Sequence, residues 1–324
     1  MRAVIVREHG GPEVLTAGDR PDPVPGEGEL LVTVAAAGVN YMDIYQREGR
    51  PPYGGGGGPY VPGAEGAGTV TAAGPGAGEF AAGDRVAWTG VGGSYAEQVV
   101  LPAGQAVRVP GAVSLETAAA VMLQGTTAHY LCHSTYPVAA GDPVVVHAAA
   151  GGVGLLLTQM AAARGGVVIA TTSTPAKAEL ASQAGAHRVA GYAGFAAVLR
   201  EVTGGPGAAV VYDGVGQATF DASLGALRPR GYLVLYGAAS GPVPPFDLQR
   251  LAAAGSLFVT RPTLGNYLAS REELLSRAGD LFGWIESGQL TVRIGGRYPL
   301  DGAAAAHADL AARRSTGKLL LLPG

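Results

Sequence analysis

PVVVHAAAGGVGLLLTQMAAARG, residues 143–165, decides how this chain folds. The apolar start, 143–148, reads as a buried strand, the small residues after it as a turn, and 153–164 as a helix. The turn, Ala149-Ala150-Gly151-Gly152-Val153-Gly154, is the G-x-G-x-x-G pattern with Ala149 in place of the first glycine. Gly151 lets the backbone approach a pyrophosphate, and Gly154 lets the helix lie close on the strand. The helix N-terminus offers free N–H groups and partial positive charge to the phosphates. A turn that serves packing alone is the competing reading, but glycines placed between an apolar strand and a helix favour a dinucleotide site. Residues 143–163 carry no formal charge and are long enough to cross a bilayer. Glycines at 151, 152 and 154 interrupt them, and Asp142 and Arg164 bound them, so no membrane span is expected.

The next strand, 167–172, says which dinucleotide. An NAD-preferring site places Asp or Glu about 20 residues beyond the glycines, at the end of the second strand, to bind the ribose 2′-hydroxyl. Here that stretch reads Ala170-Thr171-Thr172-Ser173-Thr174, and no acid occurs before Glu179. Ser173 offers a hydroxyl and Lys177 a cation one helical turn on, a pair suited to a 2′-phosphate. NADPH is therefore the expected cofactor; the plainer reading of Lys177 is an exposed helix lysine.

Outward from this point, strands and helices alternate. Helix 175–184, helix 195–202, strand 208–212, helix 219–227, strand 232–236 and strand 256–260 follow the dinucleotide unit. Apolar strands spaced by helices imply a doubly wound parallel sheet. A helix beginning at Ser114 precedes it, and helix 271–287, strand 290–294, helix 302–313 and strand 318–322 follow. Residues 1–109 differ: strands at 1–7, 30–39, 66–73, 84–89 and 95–109, with turns at Pro25-Gly26, Gly74-Pro75 and Gly83-Asp84, suggest a small irregular barrel. Within them GRPPYGGGGGPYVPG, 49–63, is too glycine-rich for helix or strand. It reads as a surface loop or, with Tyr53 and Tyr60 flanking the glycines, as a lip over a ligand site.

Composition bounds the function. The 324 residues suggest about two domains, by a rule of roughly 150 residues each. The 53 Gly and 22 Pro approach the range of disordered chains, but 48% hydrophobic and only 15% charged residues give enough apolar surface to fold. With 22 basic residues against 25 acidic there is no broad positive field, so nucleic-acid binding is not expected. Cys132 is the only cysteine, which excludes an intrachain disulfide and metal sites needing two thiolates. Residues 1–10 lack the apolar region of a signal peptide, so a cytoplasmic protein is expected. His129, Cys132 and His133, at i, i+3 and i+4 on one helix face, are a rival metal site, but spacing alone is far less than such a site requires.

These features, with GGPEVL (10–15), GELLVTVAAAGVNYMDIY (28–45), GDRVAW (83–88) and RPTLGNY (261–267), make the chain resemble the zinc-independent quinone oxidoreductases. These are the zeta-crystallin-like branch of the medium-chain dehydrogenase/reductase superfamily, and the likeness runs nearly end to end. The resemblance implies an α/β protein: a GroES-like β-rich catalytic domain from residues 1–122 and 263–324, and an inserted Rossmann domain, 123–262, with NADPH in the cleft between them and commonly a homodimer. Zinc-dependent relatives carry a Cys near Asn40 and a His in Gly-His-Glu, which here reads Gly63-Ala64-Glu65; Asp43 and Glu65 alone are too few for a zinc site. An already electrophilic quinone or enone needs orientation more than a Lewis acid.

By resemblance, Asn40, Tyr45 and Tyr53 are the candidate catalytic residues near nicotinamide or substrate, Asn40 also touching the cofactor. Ala150, Gly151, Gly152, Val153 and Gly154 bind the pyrophosphate. Thr127 resembles a nicotinamide or phosphate contact, while Ser173, Lys177 and Tyr192 form the 2′-phosphate and adenosine end. Gly216, Tyr236, Gly237, Arg261 and Arg314 complete the wall. Asn40 has the plainer reading of a helix cap, and the tyrosines that of half-buried surface aromatics. The function expected is NADPH-dependent quinone reduction. A zinc-free reductase of enones or activated carbonyls, and a non-catalytic NADPH-binding protein, are the alternatives.

Overall fold

The computed structural model describes residues 1–51, 53–54 and 58–324. Most of the glycine run read as a lip over a ligand site lies outside the described residues. The chain divides into two compact units, Met1–Leu123 with Leu268–Gly324, and Gln124–Tyr267. The second junction falls beyond residue 262, where the sequence places it. The 3-10 turn Leu264–Tyr267 stacks the Tyr267 ring on Tyr130, centroids 4.3 Å apart, and so stays with the second unit.

In the first unit β1 (Arg2–Ile5) pairs with β2 (Thr16–Asp19). There follow β3 (Glu29–Val39), α1 (Tyr41–Arg47), β4 (Glu65–Ala73), β5 (Arg85–Thr89), β6 (Gln98–Pro102), β7 (Val107–Arg108) and α2 (Leu115–Tyr130), within which the first junction falls. The second unit holds β8 (Pro143–Val146), α3 (Gly152–Ala163), β9 (Val167–Thr171), α4 (Pro175–Gln183), β10 (Arg188–Ala190), α5 (Phe195–Thr203) and β11 (Ala208–Asp213). It closes with α6 (Phe220–Gly225), β12 (Leu227–Leu235), α7 (Gln249–Ala253) and β13 (Phe258–Thr260). The chain then completes the first unit with α8 (Arg271–Glu286), β14 (Ile294–Pro299), α9 (Ala303–Ala311) and β15 (Lys318–Leu322).

The irregular β region is a seven-stranded sheet in the order β14-β15-β3-β4-β5-β7, with β6 also paired to β3. β3 is its centre. Leu30, Val32 and Val34 are buried and Thr33 is exposed; from Ala36 to Val39 every residue is buried, because both faces are then covered. Gly38 is required there: a Cβ would meet Cε of Lys318 at 2.6 Å and the Glu65 carboxylate. The strand expected over 95–109 breaks at Pro102 and a 3-10 turn, Ala103–Gln105, into β6 and β7. The strand expected at 290–294 lies later, as β14. Leu290 instead closes the end of α8, its N–H donating to Trp284 O at 3.0 Å, and is buried.

The second unit is a six-stranded sheet in the order β10-β9-β8-β11-β12-β13, every pairing parallel. This is the doubly wound order of dinucleotide-binding sheets. The helix expected over 219–227 ends at Gly225, and Leu227 already opens β12, which is irregular at Pro229-Arg230-Gly231, where Arg230 takes φ 61°. Gly154 lets α3 start directly on the turn: a Cβ there would meet Ala149 Cα at 2.7 Å and the Ala148 carbonyl. At Gly151 a Cβ would meet only Ala148 O, at 3.2 Å. Gly154→Ala is therefore expected to cost about 1–3 kcal/mol by overpacking, with Gly151→Ala losing less, as urea unfolding of the two variants would measure.

Candidate cofactor and substrate site

Each strand of the second unit's sheet is followed by a residue that the sequence marks for the cofactor. Ala150 to Gly154 follow β8, Ser173 and Lys177 follow β9, Tyr192 follows β10, Gly216 follows β11, Tyr236 and Gly237 follow β12, and Arg261 follows β13. Because every pairing is parallel, these carboxyl ends form one edge of the sheet, the edge at which doubly wound folds bind ligands. At β8 the turn runs into α3 with Gly151 as N-cap and no side chain capping the helix. At β9 the Thr174 hydroxyl accepts the Lys177 N–H at 3.3 Å and Pro175 starts α4. Ser173 is exposed and Lys177 half-buried.

The ends of β11 and β12 are in close contact. Gly216, at φ 90°, has Gly241 O 2.6 Å and Ala238 Cα 3.0 Å from where a Cβ would sit. Ser240 Oγ donates to Val215 O at 2.8 Å. The Arg261 guanidinium donates to Leu235 O and Pro262 O, at 3.2 and 3.3 Å. Two candidates lie elsewhere. Thr127 is buried on α2. Arg314 belongs to the first unit, exposed and paired with Asp309 at 2.6 Å, whose other oxygen accepts the Tyr298 hydroxyl at 2.6 Å.

Beneath the strand ends runs a buried polar chain that reading the sequence missed. His147, the residue after β8, has Nδ1 2.8 Å from Thr171 Oγ1 and Nε2 2.9 Å from Ser223 Oγ. Ser223 and Thr219 donate to Asp213 Oδ2, at 3.1 and 2.6 Å, and the amides of Val215 and Gly216 donate to Asp213 Oδ1, at 2.8 and 2.9 Å. An acid at the end of an otherwise apolar strand, followed by Gly214-Val215-Gly216, was the available signal.

In the first unit, α1 carries Tyr45, and Tyr53 lies in the turn after it. Asn40 is its N-cap, and Asp43 completes a capping box by accepting the Asn40 N–H at 2.8 Å. Tyr45 stacks on Tyr53, centroids 6.0 Å apart, and the Arg50 guanidinium lies 5.8 Å from the Tyr45 centroid. The Asn40 side chain turns inward. Its amide donates to Glu65 Oε2 at 2.9 Å and to Gly38 O at 3.3 Å, and its Oδ1 accepts from Lys318 Nζ at 2.7 Å. Lys318 also pairs with Glu65, and Glu65 Oε1 accepts the Leu123 N–H at 2.6 Å. Both ends of the ion pair are buried. Burial pulls the Lys318 ammonium below its ordinary pKa, and Glu65 opposes that pull.

A second chain leads from this cluster. Arg47 Nη1 donates to His307 Nδ1 at 3.2 Å, so His307 Nε2–H donates to Tyr95 Oη at 3.0 Å and Tyr95 donates to Asp43 Oδ2 at 2.9 Å. Burial, and then Arg47, hold His307 down at about 3, so it is neutral. Burial pushes the Asp43 carboxyl up to about 7, against the lowering effect of the Asn40 amide, the Tyr95 hydroxyl and Lys318. Its Oδ1 is buried without a partner.

The rival metal constellation does not form. The rings of His129 and His133 stack at 4.3 Å, and His133 Nδ1 lies 3.1 Å from both Cys132 Sγ and His129 O. Burial pushes the Cys132 thiol up to about 12, so it stays protonated. Among the described residues no group of three His, Cys, Asp or Glu side chains is arranged to hold a metal ion. Among them, too, no helix is long and apolar enough to cross a membrane.

Two family models match the chain: the alcohol dehydrogenase GroES-like domain over residues 26–111 and the zinc-binding dehydrogenase over 152–277. The chain is similar to a quinone oxidoreductase of Pseudomonas aeruginosa, 46% identical over 321 residues that cover 97% of each chain. It is 39% identical to a 2-haloacrylate reductase of a Burkholderia species, over 99% of this chain and 98% of that one. Among solved structures, a mycobacterial protein complexed with NADPH matches with a TM-score of 0.96 at 50% identity, over the whole of both chains.

Two measurements probe the first unit. Lys318→Met leaves Glu65 buried and unpaired and is expected to cost about 3–5 kcal/mol of stability, part of which Glu65→Gln in the same chain restores; urea unfolding reads both. Asp43, at about 7 in the fold against an ordinary 3.8, binds more protons folded than unfolded between these values. Its contribution to stability is full below pH 3.8 and is lost as pH rises through 7. Asp43→Asn, whose Oδ1 accepts the same two donors, should flatten that part of the stability profile relative to wild type.

Proposed function

Since the chain belongs to the quinone oxidoreductases of the zeta-crystallin-like medium-chain dehydrogenase/reductase superfamily, we propose that it reduces quinones with NADPH and without a metal. The observation that carries this reading is the sheet edge to which each strand of the second unit contributes a cofactor candidate. When bound, NADPH supplies the hydride, so the chain's own tasks are binding and orientation. The uncapped N-terminus of α3 suits the pyrophosphate, and Gly151, where a Cβ would meet little protein, suits its close approach. Ser173 and Lys177, with no carboxylate on 170–174, hold the 2′-phosphate.

In the first unit, the Tyr45 and Tyr53 rings, beside an Arg50 guanidinium that is paired with Glu48, offer an aromatic surface for an electron-poor ring. Asn40 contributes through α1, which it caps, since the two hydrogens of its amide already have acceptors in Glu65 and Gly38. The reading extends to a cytoplasmic homodimer, an assembly that the family resemblance implies; sedimentation of the purified chain tests the assembly.

A second reading, reduction of an activated alkene, is supported by the likeness to the 2-haloacrylate reductase. Steady-state NADPH oxidation against a panel of quinones, enones and 2-haloacrylates separates the two: faster turnover of quinones supports the proposal, and turnover of the alkenes alone overturns it. NADPH binding with no turnover of any acceptor would make this a non-catalytic binding protein.

Cofactor choice gives the sharpest prediction. A charge-assisted hydrogen bond contributes about 1.5–3 kcal/mol, so Lys177→Ala should weaken NADPH binding by a factor of about 10–150. NADH binding should hardly change, because NADH lacks the group that Lys177 holds. Fluorescence titration of both cofactors checks it; equal losses, or a wild type that prefers NADH, would remove Lys177 from the 2′-phosphate.

A further inference from the structure

The chain of hydrogen bonds beneath the strand ends has a determined direction. Asp213 accepts on both oxygens: two backbone amides on Oδ1, and the hydroxyls of Thr219 and Ser223 on Oδ2. Ser223 gives its one hydrogen to Asp213 and must therefore accept from His147 Nε2–H. The imidazole is neutral, since burial lowers its pKa while Asp213 only opposes this, so Nδ1 is a lone pair that accepts from Thr171 Oγ1–H. The order runs Thr171 to His147 to Ser223 to Asp213, through a ring that is 0% exposed, stacked 5.9 Å from Tyr192 and edge-on to Phe195 at 4.9 Å.

Both ends of this chain sit on candidate cofactor loops. Thr171 ends β9, two residues before Ser173, and its carbonyl accepts the Ala149 N–H of the dinucleotide turn at 3.1 Å. Asp213 ends β11 and holds the amides of Val215 and Gly216. His147 is also bonded directly to Ala148, which takes φ 51° without being glycine, a conformation that costs about 1–2 kcal/mol. Fixing the residue on one side of such a strained position fixes the start of the turn on the other.

We propose that His147 is a positioning residue for the cofactor, its single tautomer coupling the loop after β9 to the loop after β11. The inference rests on the proposed NADPH site and adds a residue that acts through that site from below. The tautomer is the coupling element. Without the Thr171 hydroxyl, the proton is free to move to Nδ1; Nε2 then accepts from Ser223, and Asp213 loses one of its donors.

The test is a double-mutant cycle read in NADPH dissociation constants, with Thr171→Val, Ser223→Ala and the double variant. Each single change should weaken NADPH binding about 2- to 30-fold, the range of couplings carried by such networks. The double variant should lose hardly more than the weaker-binding single variant, because either change already frees the ring. His147→Gln, which keeps one donor and one acceptor, should bind NADPH more tightly than His147→Phe. A purely structural role would lower melting temperatures and leave the dissociation constants of the folded proteins within twofold of wild type, and that result overturns the proposal. So would single losses that multiply in the double variant. If His147→Phe fails to fold, the cycle, which leaves His147 in place, decides alone. A wild type that binds no NADPH would overturn the proposed function and this inference together, whereas tight binding with multiplying losses overturns this inference alone.

Discussion

The ammonium of Lys318 bridges Asn40 and Glu65 in the buried interior of the first unit, and the start of α1 is tied to that pairing. Burying two charges is costly unless each is matched and the remaining hydrogen-bonding sites are filled. Here Glu65 Oε1 takes the Leu123 amide, Asn40 Oδ1 takes the lysine, and Gly38 leaves the room that the pair occupies. Through Asn40 the same pair fixes the start of α1, and with it Tyr45. One internal cation thus ties β15 to β4 and to the start of the helix that carries Tyr45.

The two units meet the problem of buried polarity in the same way. Each contains a neutral histidine whose two nitrogens have opposite roles, one accepting and one donating, and each chain of hydrogen bonds ends on a buried aspartate. In the second unit Asp213 has all of its donors and the chain is closed. In the first, Asp43 keeps one oxygen without a partner and takes up a proton near neutrality. Burial pushes the Asp43 carboxyl up, and the Asn40 amide, the Tyr95 hydroxyl and Lys318 only oppose it.

Much of the second unit was legible because a parallel sheet buries both faces, so β8, β9 and β11 stand out as apolar runs and Gly151 to Gly154 mark the turn between the first strand and helix. The short elements were not. β2, β10 and α7 span four, three and five residues, too few to show a period. α1 is signalled only by its cap, Asn40 with Asp43 three residues on, and β14 is obscured by Gly295 and Gly296. The candidate site offers signals in the sequence where its residues are neighbours and none where they are distant. Ser173 and Lys177 stand four positions apart, while Lys318 and Glu65 are separated by 253, and nothing in a run such as Lys318–Leu322 says which carboxylate its lysine will meet.

The first unit is assembled from two separate stretches of chain, and this sets an order of events during synthesis. Domains fold as units as they emerge from the ribosome. The contiguous stretch Gln124–Tyr267 has all its own strands before α8 is made. Asn40, Asp43 and Glu65 must wait for His307 and Lys318, which arrive with α9 and β15. Until then Asn40 and Asp43, at the start of α1, and Glu65, on β4, lack part of the network that later buries them, while the unpaired edges of a strand-rich half-domain are open to association.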